Sequence, residues 1–258
     1  EKPMLEGWQT PALMLAITGQ MHGYIEPCGC SPRQSGGLAR RSDLIRQIRE
    51  EKKWLILGLE TGGALDRERV DRKQSLLKFG MIQDSLNSMG YKAHGLGTEE
   101  LKLTPLNLFT IYSNRNVEDG FDLPFVAANV TLLGSNDLGT PKPYRILTAG
   151  GMRVAVTSTI GGEYRDEFGS ASPDELKIGD ADEAIKAVLP QMKAEKPNLL
   201  ILMSYDSKEP SRELAQKYSD FDIVVSAGGA DDPGDEHERF GKTLFFVTGM
   251  KGKYVNLV

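Results

Sequence analysis

The side chains suited to chemistry are few in this sequence, and they are unevenly placed. Its two cysteines, Cys28 and Cys30, stand one residue apart, with Pro27 before them and Gly29 between them. Proline fixes the entry to a turn and glycine permits a tight bend. A Cys-x-Cys pair can supply half of a soft-metal site, close a strained disulfide or simply line a loop, and the spacing leaves all three open. Two cysteines exclude a disulfide framework, and without Cys-x-x-Cys-His there is no covalently held c-type haem. The three histidines, His22, His94 and His237, are widely separated. Oxygen ligands are more numerous: Glu60, Glu99, Glu100 and the run Asp231-Asp232-Pro233-Gly234-Asp235-Glu236. That run has the chemistry of a calcium site without the EF-hand spacing, and it reads as an acidic surface loop. Arg40 and Arg41 could face a phosphate, but the pattern around them reads as a solvated helix face.

Positioning such residues requires a scaffold, and short apolar runs alternate with amphipathic stretches along the chain. Leu13 to Thr18 is too short for a helix and reads as a buried strand, followed by a Gly- and Pro-rich loop from Gly19 to Gly37. Leu38, Leu44, Ile45 and Ile48 share one helical face, with Arg40, Arg41, Arg46 and Arg49 on the other. Trp54 to Leu59 predicts a strand, and Leu76, Leu77, Ile82, Leu86 and Met89 predict a helix closed by Gly90. Phe125 to Val130, Tyr144 to Thr148 and Met152 to Ile160 predict further strands, the last two joined by a Gly150-Gly151 hairpin turn. A helix around Ile185 to Met192, weakened by Pro190, precedes strands at Asn198 to Ser204 and Ile223 to Ala227, which flank a helix near Ser211 to Tyr218. Thr243 to Gly249 and Tyr254 to Val258 read as a closing hairpin. This order predicts a mixed sheet covered by helices in a single domain over residues 1–258.

With 258 residues and a formal charge of −5, the chain lacks the basic balance of a nucleic-acid binder. No apolar run approaches the ~20 residues of a membrane-crossing helix.

The predicted strand ends carry a recognisable series of phrases. They are Ile17 to Gly23, Gly36-Gly37-Leu38-Ala39-Arg40, Leu59-Glu60-Thr61-Gly62-Gly63, Leu96-Gly97-Thr98-Glu99-Glu100, Ala127 to Val130, Leu202 to Tyr205 and Asp222 to Gly228. In this order they resemble the N-terminal domain of the 5′-nucleotidase branch of calcineurin-type metallophosphoesterases, from about residue 12 to 258. The resemblance implies a four-layer α/β/β/α sandwich with its site at the carboxyl ends of the strands, where open α/β sheets place ligands. The family's second domain, which grips the nucleotide, has no counterpart in these residues.

In that family two divalent metals clamp the phosphoryl oxygens and activate a water. The resemblance implies that their ligands are missing here. Gln20 stands at the first aspartate position and His22 alone matches; Gly63 replaces the bridging aspartate. Thr98 replaces the asparagine ligand, Glu99 the catalytic histidine and Tyr205 a later histidine. The closing Gly-His-x-His is reduced to Ala227-Gly228-Gly229-Ala230, so Gly228 and Ala230 bring no imidazole. The expectation is a metallophosphoesterase-like protein with no catalytic residues, metal or cofactor, serving as a structural or partner-binding subunit. Cys28 and Cys30 would be possible partner or metal contacts. Pro27-Cys28-Gly29-Cys30 is similar to segments of exported metallophosphoesterase-like proteins that accompany multihaem cytochromes, which implies a periplasmic or extracellular protein with its signal peptide removed. The alternative is a residual phosphohydrolase acting on nucleotides or phosphate esters.

Overall fold

A computed structural model describes residues 5–27, 34–66, 68, 73–113, 123–135, 141–168, 172, 174–234 and 237–258. Strands β1 (Met14–Thr18), β2 (Ile56–Glu60), β3 (Tyr91–Gly95) and β4 (Phe125–Val126) lie parallel and side by side in a first sheet. β5 (Val130–Leu132) pairs with the later β8 (Leu176–Ile178) in a small antiparallel ribbon. The second sheet holds β6 (Tyr144–Ala149), β7 (Met152–Ile160), β9 (Leu199–Tyr205), β10 (Ile223–Ser226), β11 (His237–Phe240) and β12 (Thr243–Val247). Its order is β11-β12-β10-β9-β7-β6, with a parallel centre and antiparallel edges. β13 (Asn256–Leu257) returns to the first sheet, antiparallel to β1.

The helices are α1 (Leu38–Arg46), continued by a wider turn over Gln47–Glu51, α2 (Lys73–Met89), α3 (Thr98–Lys102) and α4 (Pro105–Ser113), then α5 (Gly162–Glu167), α6 (Ala181–Ala194) and α7 (Lys208–Lys217). Strand alternation sorts the core into layers. Leu15, Ile17, Leu57 and Leu59 of the first sheet meet Val154, Val156, Ile201, Met203 and Val225 of the second in a core between the sheets. On the far side of the first sheet Ile45, Phe79, Ile82, Leu86 and Met89 pack around Tyr91 and Phe125. Beyond the second sheet Ile185, Val188, Leu189 and Met192 of α6 cover Ala155, Leu200, Leu202 and Val224. These layers make the expected α/β/β/α sandwich. Each fully buried aliphatic side chain contributes roughly 1.5–3 kcal/mol.

α2 ends at Gly90, whose φ of 86° is the left-handed turn that closes helices. α6 starts at Asp180, whose carboxylate accepts the Glu183 amide at 3.0 Å, and it runs through Pro190 without breaking.

Three expectations need correction, and some elements were not foreseen. The closing hairpin does not form: β12 pairs with β10 and β11, while β13 crosses to the other sheet and pairs with β1, whose edge away from β2 is open to it. The strand expected over Phe125 to Val130 divides into β4 and β5, which belong to different sheets. Arg41 is not solvated: it is 3 % exposed, on the buried stripe with Leu38 and Ile45, while Arg40 faces out. β3, β8, β11 and helices α3 to α5 were not foreseen; in β3 and β11, Lys92, His94, His237, Glu238 and Arg239 interrupt the apolar pattern.

Candidate functional site

The carboxyl ends of β1, β2, β3 and β9 bring most of the singled-out residues together. The chain leaves β1 through Gln20 and His22, both in the left-handed region at φ 52° and 51°. Such backbone is rare outside glycine and is held here by its neighbours. The Gln20 amide donates to the Gly62 carbonyl at 2.8 Å, the His22 amide to Gly63 at 2.9 Å, and the Lys251 amide to the Gln20 carbonyl at 2.7 Å. Gln20 is buried, with its side-chain oxygen against His22 Nε2. His22 itself is partly buried and lines a cleft of about 490 Å³ with Tyr24, Asp66, Gln74 and Lys78. Burial holds its imidazole below the usual histidine range, against the opposing pull of Glu99 and Asp231.

Gly63, at φ 78°, leaves only tight room for a larger residue. A Cβ there would stand 3.1 Å from the Cα, Cδ and Oε1 of Gln20. The Gln20 side chain therefore fills the space that an acidic residue at 63 would enter.

After β3, Thr98, Glu99 and Glu100 open α3, and all three are 2 % exposed or less. Tyr205, at the end of β9, donates its hydroxyl to Glu99 Oε2 at 2.6 Å, and Thr98 Oγ1 donates to the same oxygen at 3.2 Å. Burial and the Glu99 carboxylate raise the Tyr205 phenol well above its usual range. Tyr164 of α5 packs edge-on against the Tyr205 ring at 5.1 Å, and α5 is tied to α3 by a 2.9 Å ion pair between Lys102 and Glu167.

Glu100 points the other way from Glu99 in its bonding. Its carboxylate accepts three backbone N–H groups: Gly97 at 2.7 Å, Ala64 at 2.7 Å and Gly63 at 3.1 Å. Burial and the neighbouring Glu99 charge raise this carboxyl to about 7, although the three N–H donors pull it down. Its role as a cross-link between two loops was not visible in the sequence, where it stood among the acidic residues and at the end of one strand-end phrase.

Gly228 is buried at the end of β10, where its amide donates to the Asp206 carbonyl at 2.8 Å. A Cβ at Gly228 would fall 2.3 Å from that same carbonyl, so backbone already occupies the place. Ala230 is not in the buried cluster: it is exposed and lines a separate cleft of about 400 Å³ with Lys208, Asp232 and His237. Asp231 and Asp232 pair across that rim with Lys251 and with Lys253, as an acidic surface loop should. Cys28 and Cys30, with Asp235 and Glu236, lie outside the described residues.

Below this cluster lies a second one. Arg41 Nη1 stands 3.5 Å from Glu60 Oε2, which accepts the Thr18 hydroxyl at 2.6 Å, and Arg41 also donates to Thr18 Oγ1 at 3.2 Å. Arg41 Nε and Glu60 Oε1 are buried with no partner. Burial raises the Glu60 carboxyl, opposed first by Arg41. Glu60 is thus committed to the interior and takes no part with Asp231 and Asp232. Among the described residues no three His, Cys, Asp or Glu side chains converge as a metal-binding group, and no helix is long and apolar enough to cross a membrane.

No protein-family model matches this sequence. Among curated proteins, the apyrase of Aedes aegypti is 25 % identical over 156 residues, covering 59 % of this chain and 27 % of its own. Among solved structures, a 5′-nucleotidase precursor from Thermus thermophilus superposes with a TM-score of 0.73 at 20 % identity, over 95 % of this chain and 50 % of its own. The calcineurin-like phosphoesterase YfkN from Bacillus subtilis gives 0.70 at 18 % identity, over 95 % of this chain and 83 % of its own. The chain thus spans about a quarter of the apyrase and half of the nucleotidase. What these likenesses establish is the fold, that of the 5′-nucleotidase-like, calcineurin-type metallophosphoesterases.

Proposed function

We propose that this chain is a non-catalytic member of the metallophosphoesterase fold, a structural or partner-binding subunit rather than a phosphohydrolase. The observation that carries this reading is the closure of the expected metal site by its own side chains. Gln20, Thr98, Glu99 and Tyr205 are between 0 and 6 % exposed, and each is hydrogen-bonded to another residue of the same cluster or its immediate neighbour. A pair of divalent cations needs several anionic or imidazole donors with free lone pairs. The residues present do not fit them: an amide engaged with His22, a single carboxylate, Glu99, engaged by the Tyr205 and Thr98 hydroxyls, and two glycines. A site without a need to admit substrate is free to become a contact surface. The loops around it are where a partner would sit, with Cys28 and Cys30 as contacts to test, and an exported multihaem cytochrome is the partner to try first.

Two measurements test this together. Hydrolysis of nucleotides and aryl phosphates with Mn²⁺, Fe²⁺ or Zn²⁺ added should stay at background, and elemental analysis should find no stoichiometric metal pair. Turnover above ~1 per second, the lower end of typical enzymes, that is lost in His22→Ala would establish the phosphohydrolase alternative instead. Co-purification from the native source, with thiol labelling of Cys28 and Cys30 before and after assembly, tests the partner. Equal labelling in the free chain and the complex would remove that loop from the interface.

A further inference from the structure

The cleft of about 490 Å³ beside His22 stays open where the metal positions have closed, and its size is that of a small-molecule site. Three parts of the chain wall it. The loop after β1 gives His22 and Glu26, the loop after β2 gives Asp66, and α2 gives Gln74 and Lys78. Gly23, at φ 75°, lies between the two opposite charges. A Cβ there would stand 3.9 Å from the Asp66 Cβ and 4.0 Å from Lys78 Nζ. Both charged side chains thus flank one point, yet Lys78 forms no ion pair with Asp66 or with any other described residue. Asp66 commits Oδ1 to the Glu68 amide at 3.0 Å, which leaves Oδ2 to accept from a ligand. His22 Nε2 donates to Gln20 Oε1, since an amide oxygen only accepts. Burial holds that imidazole neutral, so Nδ1 keeps a lone pair.

We propose that this cleft binds a small zwitterion of the α-amino acid class, its ammonium taken by Asp66 and His22 Nδ1 and its carboxylate by Lys78. Acceptors suited to an ammonium stand on one side, and the donor suited to a carboxylate stands on the other. Charge decides against a simple anion. The walls carry one cation, Lys78, and two carboxylates, Glu26 and Asp66, so phosphate or acetate would meet a net negative surface. Ile25 and Leu65 add an apolar wall, which suits an uncharged side chain. Such a ligand would bind whether or not the chain has a protein partner.

The test is titration calorimetry of the whole chain at about pH 7.5 with L-leucine as the probe. Leucine should bind with a Kd below ~1 mM, a modest affinity for a ligand of its size. L-leucinamide keeps only the ammonium and N-acetyl-L-leucine only the carboxylate. Each should bind at least about tenfold more weakly, as the loss of a hydrogen bond to a charged group requires. Asp66→Asn and Lys78→Gln should weaken leucine by a similar factor, and neither side chain belongs to the core. In wild type, leucine should shift the backbone amide resonances of Gly23, Asp66 and Lys78. The proposal is overturned if leucine shows no binding up to ~10 mM, more than tenfold above the expected Kd. It is equally overturned if either half-ligand binds as well as leucine, if both variants bind like wild type, or if the amide shifts fall elsewhere. Binding of inorganic phosphate or AMP at these amides in place of leucine would also refute it, and would favour the phosphohydrolase alternative for the neighbouring site.

Discussion

Replacing Arg41 with methionine offers the sharpest test of how the inner cluster is held. The substitution keeps the apolar bulk of the side chain and removes the only cation paired with Glu60 among the described residues. Glu60 would then keep the Thr18 hydroxyl bond at 2.6 Å but face the interior with a lone charge at 2 % exposure. Breaking a buried pair from one side costs about 3–5 kcal/mol, which for a chain of this size lowers the melting temperature by roughly 6–20 °C. The double variant Arg41→Met with Glu60→Gln removes both charges and should recover at least half of the cost, giving a clear coupling in a double-mutant cycle. The pH dependence has a definite sign. Burial already raises the Glu60 carboxyl, and Arg41 is the main influence lowering it, so its removal raises it further. A carboxyl raised above its unfolded value favours the folded state while protonated and loses that stability as pH rises through the folded value. Arg41→Met should accordingly be penalised more at about pH 8 than at about pH 5, measured by urea unfolding followed by circular dichroism. A penalty below ~1 kcal/mol, well short of a buried ion pair's worth, or one that grows on acidification, would refute the argument.

Three further outcomes are expected. His94 is buried and its imidazole is held down at about 3, by burial first and then by the Arg145 and Lys92 charges. Because the unfolded chain takes up that proton first, stability should fall below about pH 6.5 by up to ~1.4 kcal/mol per pH unit, and His94→Gln should flatten this slope in acid-unfolding curves. Asn129→Ala should cost about 3 kcal/mol in urea unfolding, since Asn129 donates to the Ile160 and Gly179 carbonyls at 2.8 and 3.0 Å and accepts the Ile160 amide at 3.0 Å, all buried or partly so. A cost under ~1 kcal/mol would mean that those groups find other partners. Gln20→Asp combined with Gly63→Asp should bind no stoichiometric Mn²⁺ or Zn²⁺ in calorimetry, and it should lose about 1–3 kcal/mol of stability because Gly63 occupies left-handed backbone.

The parts legible in the sequence were those whose physics is local. β9 is a nearly continuous apolar run and β7 a long stretch of small and β-branched residues, and Gly150 and Gly151, at φ 58° and 78°, form the tight connection that a double glycine announces. The strand-end phrases located Gln20, Gly63, Thr98, Glu99, Tyr205 and Gly228, and the fold brings these positions to one end of the two sheets. What was illegible depends on distant partners. β3 contains His94, which is tolerated in the core because Gln83 of α2 hydrogen-bonds its Nδ1 at 2.6 Å. Tyr205 finds Glu99 across 106 residues. One miss did carry a signal. Leu38, Arg41, Ile45 and Ile48 are spaced as a single helical stripe, and periodicity alone should have placed Arg41 inside with a carboxylate to meet it.

The antiparallel pairing of β13 with β1 bears on how the chain is made as well as on how it rests. Asn256 Nδ2 reaches the Ile17 carbonyl over 239 residues, and the Leu15 and Val258 backbones bond each other in both directions, at 2.8 and 3.1 Å. During synthesis at about 5–20 residues per second, β1 would leave the ribosome roughly 12–50 seconds before its outer partner arrives. For that interval one side of β1 presents unpaired N–H and C=O groups, the kind of edge that invites pairing with another chain. A nascent chain halted short of residue 256 is therefore a candidate for chaperone capture, and β13 replaces the five-residue edge of β1 with an edge strand of only two residues.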